Sequence, residues 1–409
     1  MRICHISTGY PISFQGGITN YVRSIAESQV RDGNVVYVVS SEETDKYAFS
    51  TYKYLSNKIS PFRLQALKDK KGLERIQKFL DDYQFDIIHI HMIMDIDWDL
   101  YDIVKKYKYI VSLHDYFMLC PRIQMLQANG TLCDRYDVNK CRKCISWFNQ
   151  YRIFSSLENR IRVKNKGFSF PKVSQKMTDM RYLKYKHLLE NADCLLPVSY
   201  RVEEIFKNSG ISGTYKVLHI GNISADRYKK EFHFDDTTNR KIKVVMLGSL
   251  AKIKGAELLI EFADRFDRQK FSFHFWGRPN EYESELIKHG IINHGAYQQT
   301  DLEAILEDAD LGLVLSIWED NGPQVVMEFL NNNVPVIGTE MGGIPDFIKH
   351  GVNGFLFNPY ENESKEELCK KVNQLTISDI YKIKKNIRPT LTTVEHYSEL
   401  KKIYEEVIK

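Results

Sequence analysis

Short apolar runs separated by helix-length stretches recur along the whole of this chain, and that rhythm restricts its fold more than any other feature. Ile3 to Ile6, Val35 to Val39, Ile87 to Ile90, Tyr109 to Leu113 and Cys194 to Val198 form one series. Lys243 to Leu247, Phe271 to Trp276, Leu311 to Leu315 and Pro335 to Ile337 form a second. Short apolar runs alternating with helical stretches are the rhythm of a parallel sheet flanked by helices, and Leu311 to Leu315 reads as a strand buried on both faces. A chain of 409 residues is too long for one ordinary core. The expected architecture is therefore α/β, with two Rossmann-like doubly wound domains. The first is placed over 1–215, with a cysteine-rich insertion at 120–144, and the second over 216–390, with the join near 200–225 and a polar linker tail from Tyr228 to Arg240. A C-terminal helix over 391–409 carries Tyr397, Leu400, Ile403, Tyr404 and Val407 at the spacing of one buried stripe.

Composition excludes several classes. Hydrophobic residues at 43% and charged residues at 27% are globular proportions. A net charge of +4 is too small to imply nucleic acid, and no nucleic-acid motif accompanies it. The start Met1-Arg2-Ile3-Cys4-His5-Ile6 reads as a strand rather than a signal peptide, and no run of about 18 apolar residues could span a membrane. Seven cysteines, an odd number, together with the missing signal point to a reducing cytoplasm.

Chemistry-bearing residues gather where strands end. Leu311 to Leu315 leads into Ser316-Ile317-Trp318-Glu319-Asp320-Asn321, then Gly322-Pro323 opens a helix carrying Glu328. Acids, free amides and a helix dipole at one strand end could grip a sugar nucleotide; a capped helix with solvated acids is the competing reading. Val244 to Ser249 runs through a glycine turn to Lys252, Lys254 and Gly255, a place for a diphosphate, since a lysine at a helix start is unfavourable unless an anion offsets it. A solvated Lys254 stays open beside that. Gly16-Gly17 lead through Ile18-Thr19-Asn20 to Tyr21, Val22, Ile25 and Ala26 at helical spacing, and glycine lets a phosphate or sugar come close to the amides, although a plain turn would look the same. His114 and Asp115 follow the strand Tyr109 to Leu113, at the end where such sheets place ligands. His89 and His91 read instead as hydrogen-bonded structural histidines.

Cys120, Cys133, Cys141 and Cys144 form C-x12-C-x7-C-x2-C. In a reduced compartment that set suits a structural zinc site, with four free thiols as the alternative. From Arg160 to Lys186 nine Lys or Arg stand against Asp179, interleaved with Phe168, Phe170, Tyr182 and Tyr185. Such a stretch fits contact with anionic lipid or a lipid-linked diphosphate, or else a solvated helix face.

Taken in order, these segments resemble glycosyltransferase family 4, in particular a cysteine-bearing bacterial subset. The matching blocks are Gly16-Gly17, Leu113-His114-Asp115-Tyr116 with Leu119-Cys120-Pro121-Arg122, and Ala192-Asp193 to Ser199. They continue with Gly248 to Gly255, Asp320 to Glu328, Val334-Pro335-Val336, Gly342-Gly343-Ile344-Pro345-Asp346 and Gly351-Val352-Asn353-Gly354. The resemblance implies a GT-B fold: two domains facing a cleft, acceptor side first and nucleotide-sugar side second, with the C-terminal helix packing back toward the first. It implies a retaining hexosyltransferase that uses a UDP- or GDP-linked sugar and no catalytic metal. The acceptor would be a glycan or polyprenyl-linked glycan in surface polysaccharide synthesis. The place would be the cytoplasm, peripheral at the inner face of the plasma membrane through 160–186.

By the same resemblance, His114 contacts the donor sugar, Lys254 the diphosphate, Asp320 sugar hydroxyls and Glu328 the ribose. Gly16, Gly17, Gly322 and Pro323 frame the departing phosphate, with Ser249 and Lys252 beside it. Gly277, Arg278 and Tyr297 lie at the base. Two positions depart from the pattern: the family's phosphate-binding arginine is Ser249 here, and the first acid of its Glu-x7-Glu is the shorter Asp320. Glu319 falls out of that register and is set aside as a bystander. These departures motivate a second reading, a non-catalytic GT-B protein that binds a glycan or stabilises a partner; a sugar-nucleotide epimerase is a third.

Overall fold

The computed structural model describes residues 1–7, 16–40, 48, 50–53, 70–94, 96–127, 129–144, 175–228 and 240–409. Within these the chain divides into two compact units, one of Met1–His219 with His396–Lys409, the other of Ile220–Glu395. The joins expected at 215/216 and 390/391 move by a few residues for a local reason. Lys216 N–H donates to Leu195 O and Leu218 N–H to Pro197 O, which ties the segment after the last strand of the first unit back onto it. Asn222 N–H donates to Leu391 O and Asp226 accepts from Thr393, which keeps both flanks of the second unit with that unit. Most of the polar tail from Tyr228 to Arg240, including Asp235 to Asn239, lies outside the described residues.

The first unit contains a six-stranded sheet: β1 Arg2–Ile6, β2 Val35–Ser40, β3 Ser50–Lys53, β4 Ile87–Ile90, β5 Tyr109–Leu113 and β6 Cys194–Pro197. The strand order is β3-β2-β1-β4-β5-β6, with every pairing parallel. The second unit repeats that plan with β7 Ile242–Ser249, β8 Phe271–Arg278, β9 Ile292–Asn293, β10 Leu311–Val314, β11 Val336–Thr339 and β12 Gly354–Phe357, in the order β12-β11-β10-β7-β8-β9. In each sheet the chain leaves from one strand toward one edge and then returns to the other side of that same strand. This makes a topological switch point between β1 and β4 and another between β7 and β10, where ligands enter doubly wound sheets at the carboxyl ends.

Burial explains why the run of β7 lacks alternation. Along β7, Val244 and Met246 join one apolar cluster while Val245 and Leu247 join another, so both faces are covered. The C-terminal helix Thr393–Ile408 buries His396, Leu400, Ile403 and Tyr404, and from His396 onward it belongs to the first unit. Tyr397 and Val407 on the expected stripe are only half-buried, because the stripe rotates to place His396 inward.

The described part of the basic segment is divided between a buried side and an exposed one that carries Lys176, Met180 and Leu183. Its residues 160–174, with Arg160, Arg162, Lys164, Lys166, Lys172, Phe168 and Phe170, lie outside the described residues. On the helix Gln175–Glu190, Arg181 is only 2% exposed and sits over the rings of Phe117 and Tyr185. Lys184 pairs with Asp99, Lys186 with Glu190, and Tyr182 stacks on Tyr136 with ring centroids 4.0 Å apart. Thr178, Arg181, Tyr185 and Leu188 recur at helical spacing on the buried face, so Arg181 occupies an apolar stripe rather than a solvated one. No helix among the described residues is long and apolar enough to cross a membrane.

Candidate functional site

In the second unit, the carboxyl ends of β7, β8 and β10 hold most of the residues singled out from the sequence. β7 ends in Gly248 and Ser249, and β8 in Gly277 and Arg278, paired in register as Gly248 with Gly277 and Ser249 with Arg278. The two glycines are forced: a Cβ on Gly277, whose φ is +146°, would lie 1.6 Å from Gly248 O. Ser249 is exposed and accepts from Asn280 Nδ2 at 3.0 Å. Arg278 is exposed beside it, and its guanidinium has no partner among the described residues.

After Ser249 the chain makes a single tight turn over Lys252–Lys254 and passes through Gly255 before the helix Ala256–Arg265 begins. The two lysines therefore precede the helix rather than sit in its first turn. Lys252 pairs with Glu257 at the surface. Lys254 reaches across the switch point: its Nζ lies 2.6 Å from Asp320 Oδ2 and 5.2 Å from the Trp318 ring. Within this fold the anion that offsets Lys254 is Asp320. An ammonium has three donors, so Lys254, whose side chain is 41% exposed, keeps capacity for a further anion.

The loop after β10 is buried although it is polar. Ser316, Glu319, Asp320 and Asn321 are each under 9% exposed. Asp320 Oδ2 also accepts from Ser316 Oγ at 2.8 Å, and Asp320 O accepts Gly343 N–H at 2.7 Å. Glu319, set aside from motif spacing, accepts Gly342 N–H at 3.1 Å and so fastens the Gly342-Gly343 turn against the loop. Gly342 has φ +54° and a Cβ there would fall 2.1 Å from Asp320 O, so a glycine is required for that contact. Asn321 Nδ2 and Trp318 Nε1 are buried donors without partners among the described residues, which is the condition of groups awaiting a ligand.

Pro323 stands just before the helix Gln324–Asn331 rather than at its first position. Glu328 lies in that helix, 6% exposed, and accepts from Gln299 Nε2 at 3.1 Å. Burial pushes its carboxyl above the usual range, and the Gln299 bond opposes this. Half-buried Tyr297 has its phenol raised by burial and by the neighbouring Glu328 carboxylate, which places these two candidates together. Gln299, Asn321 and Glu319 are members of this constellation that motif reading missed.

In the first unit, Gly16 precedes the helix Gly17–Arg31. Its N–H donates to Thr19 Oγ1 at 3.1 Å, so that amide is already engaged, and Gly17 supplies the next one. Residues 8–15 before it lie outside the described residues. His114 closes a chain of imidazoles that crosses three strands. Gln29 Nε2 donates to Tyr404 Oη at 3.2 Å, which turns its amide oxygen toward His5 Nε2 at 2.7 Å. His5 is thereby protonated on Nε2, and its Nδ1 accepts from His91 Nε2 at 2.9 Å. His91 Nδ1 then accepts from His114 Nε2 at 3.1 Å. The chain leaves His114 Nδ1 as a lone-pair acceptor. His89 bonds Tyr404 at 2.6 Å and Ser112 at 2.7 Å, so the ring nitrogens of His5, His89 and His91 are all engaged. That is a hydrogen-bond network rather than a metal site, although these three offer ligand atoms within 4.8 Å of one another.

Burial keeps the network neutral. It lowers His5 to about 4 and His114 to about 3, while His89 and His91 fall well below the ordinary imidazole value with neighbouring rings adding to the effect. Asp115 is raised to about 6 by burial, opposed by Phe117 N–H donating to its Oδ1 at 2.8 Å. The four cysteines at 120, 133, 141 and 144 are free thiols and line one small cavity.

Comparison with known proteins adds to this picture. The family described as "Glycosyltransferase Family 4" matches residues 15–152, and "Glycosyl transferases group 1" matches residues 228–388. An uncharacterised glycosyltransferase, MJ1607, of Methanocaldococcus jannaschii is 21% identical over 89% of this chain and 87% of its own. The putative colanic acid biosynthesis glycosyltransferase WcaL of Salmonella typhimurium is 23% identical over 42% of this chain and 45% of its own. The chain spans about half the length of several of the curated relatives it matches. Among solved structures, Anabaena Alr3699/HepE in complex with UDP aligns with a TM-score of 0.64 at 14% identity, over 99% of this chain and all (100%) of that one.

Proposed function

Because the chain belongs to the family 4 type of glycosyltransferases and has the GT-B fold, we propose that it is a retaining hexosyltransferase acting on a nucleoside-diphosphate sugar. The observation that carries this reading is the buried polar cluster at the second switch point. There Lys254, Asp320 and Ser316 are bonded to one another, while Asn321 Nδ2 stands without a partner among the described residues. Lys254 and Arg278 bind the diphosphate, Asp320 and Asn321 the sugar hydroxyls, and Glu328 the ribose, with Tyr297 beside the base. Arg278, in register with Ser249, replaces the charge that the family carries at that position. In the first unit, His114 Nδ1 is left as an acceptor for a sugar hydroxyl.

In the reaction the bond from the anomeric carbon to the diphosphate oxygen breaks and the acceptor oxygen bonds to the same face. The acceptor proton passes to the departing phosphate. The protein supplies no nucleophile and no catalytic metal; it neutralises the leaving charge with fixed donors, namely Lys254, Arg278 and the amide of Gly322. The HepE structure holds UDP, which favours a UDP-sugar donor, and WcaL is named for colanic acid synthesis, which favours a surface-polysaccharide acceptor, either a glycan or a polyprenyl-linked one. Placement at the inner membrane face would depend on residues 160–174 together with Lys176, Met180, Leu183 and Lys184 on the outer side of the helix Gln175–Glu190, because Arg181 is turned inward.

Incubation with UDP- and GDP-sugars is expected to give slow donor hydrolysis that Glu328→Ala abolishes. Absence of any thermal shift with UDP, GDP or ADP would overturn the proposal. The bonding of Ser249 to Asn280 keeps the non-catalytic reading as a second possibility. Nucleotide binding without turnover in any donor and acceptor pairing would favour it.

A further inference from the structure

The cysteine-bearing segment between β5 and the helix Gln175–Glu190 has a purpose that sugar transfer does not explain. Its backbone brings four distant sulfurs to one place. A short hairpin, with Leu126 bridged to Leu132 and Gln127 N–H bonded to Thr131 O at 2.8 Å, returns Cys133 beside Met125 and hence toward Cys120. The helix Val138–Cys144, its first turn capped by Asp137 Oδ1 bonding Asn139 and Lys140 N–H, carries Cys141 and Cys144 one turn apart. All four line a single cavity of about 20 Å³, room for one atom-sized occupant.

Two independent features surround that cavity. The loop after Cys120 holds Ile123 at φ +70° and Met125 at φ +49°, left-handed conformations that side-chain-bearing residues rarely adopt. The N–H groups of Arg122 and Met125, from the same loop, approach Cys120 Sγ. Beside the loop, the Arg181 guanidinium is buried, yet it bonds only the carbonyls of Phe117 and Met118, and its Nε has no partner among the described residues. A buried cation calls for counter-charge, and the Asp115 carboxyl lies within its electrostatic reach without bonding it. Cys120 and Cys141 are within its electrostatic reach, and Arg122, Arg135 and Lys140 line the same cavity.

We propose that Cys120, Cys133, Cys141 and Cys144 bind one zinc ion as a closed tetrathiolate site. Zinc displaces four protons, one from each thiol, and the resulting centre carries a net charge of −2 that Arg181 and the cavity's basic residues balance. The N–H groups at Cys120 are its outer-shell donors. No three of these sulfurs lie within 4.8 Å of one another, so they close on the ion, at about 2.3 Å each, through side-chain rotation. With all four positions filled by protein the metal is structural. It pins the segment that follows β5, the strand that ends at His114 and Asp115. The inference is independent of the proposed reaction.

The test uses the full chain purified without chelator from zinc-supplemented medium. Elemental analysis is expected to find one zinc per chain, released in step with titration of four thiols by p-mercuribenzoate. Cobalt exchanged into the protein should show the intense visible bands of tetrahedral cobalt thiolate. Replacement of Cys141 and Cys144 by Ser should lower bound zinc at least tenfold, and the mercurial titration of the unaltered chain decides the matter even if that variant does not fold. Absence of zinc with no cobalt uptake would overturn the proposal, as would metal that survives thiol modification or four sulfurs found paired as disulfides.

Discussion

Gly255 joins the lysine turn to the helix Ala256–Arg265, and replacing it with alanine should separate two costs that usually arrive together. Its φ of +84° is left-handed, which alone costs an alanine about 1–2 kcal/mol. The added Cβ would also lie 2.0 Å from Leu315 O and 2.4 Å from Leu315 Cβ. Leu315 is 1% exposed, and the chain just beyond it is held by Ile317 N–H bonding Ile253 O at 2.9 Å. Neither contact is a flexible side-chain tip, so the backbone must move, at a further ~1–3 kcal/mol. The sum is ~2–5 kcal/mol for Gly255→Ala. Gly295 is the control: it shares the conformation, at φ +79°, but a Cβ there meets nothing within 4 Å. Gly295→Ala should therefore cost only ~1–2 kcal/mol. Urea unfolding followed by near-ultraviolet circular dichroism measures both, with the low-denaturant transition fitted for each variant. Because the displaced group is the end of the strand leading to Ser316 and Asp320, the KM for the donor should rise several-fold in Gly255→Ala. Equal destabilisation by the two substitutions, within about 0.5 kcal/mol, would refute the steric part of the reasoning.

Two further expectations follow from the geometry. The buried imidazoles of His5, His89, His91 and His396 all have folded pKa values depressed below the ordinary one, to about 4 for His5 and His396. Their contribution is present above the unfolded value and is lost as pH falls, because the unfolded chain takes up protons that the folded one refuses. Stability of the first unit should fall between pH 6.5 and about 4, by up to about 1.4 kcal/mol per pH unit for each histidine; unfolding midpoints that stay flat from pH 7 to 5 would contradict the buried network. Arg278→Ala should raise the donor KM about tenfold, the loss of one charge-assisted contact, and adding Ser249→Arg should restore most of it. If Arg278→Ala leaves KM unchanged, that side chain does not serve the diphosphate.

The sequence by itself determined the strands and their class. Ile87 to Ile90 and Tyr109 to Leu113 were legible to the residue, because burial on both faces leaves a short, mostly apolar run, interrupted by His89 and by Ser112, that needs no knowledge of neighbours. The ordered blocks from Gly16 to Gly354 also carried the resemblance to the family. Partnership across the sheet was not legible. Glu319 bonds a glycine 23 residues away, and a motif's internal spacing holds no record of that. The chain from Gln29 through His5 and His91 to His114 exists because parallel register sets β1 beside β4 and β4 beside β5. Register is decided by packing of whole faces, long after local pattern has chosen strand or helix. Arg181 shows the same limit from the other side. As one of nine basic residues it read as surface charge, and only its place on a stripe with Thr178, Tyr185 and Leu188, packed against Phe117, turned it inward. Local propensities act over a few residues and are written in the chain. The partner that each polar group finds is fixed by tertiary contacts, where every buried donor and charge must be satisfied at once.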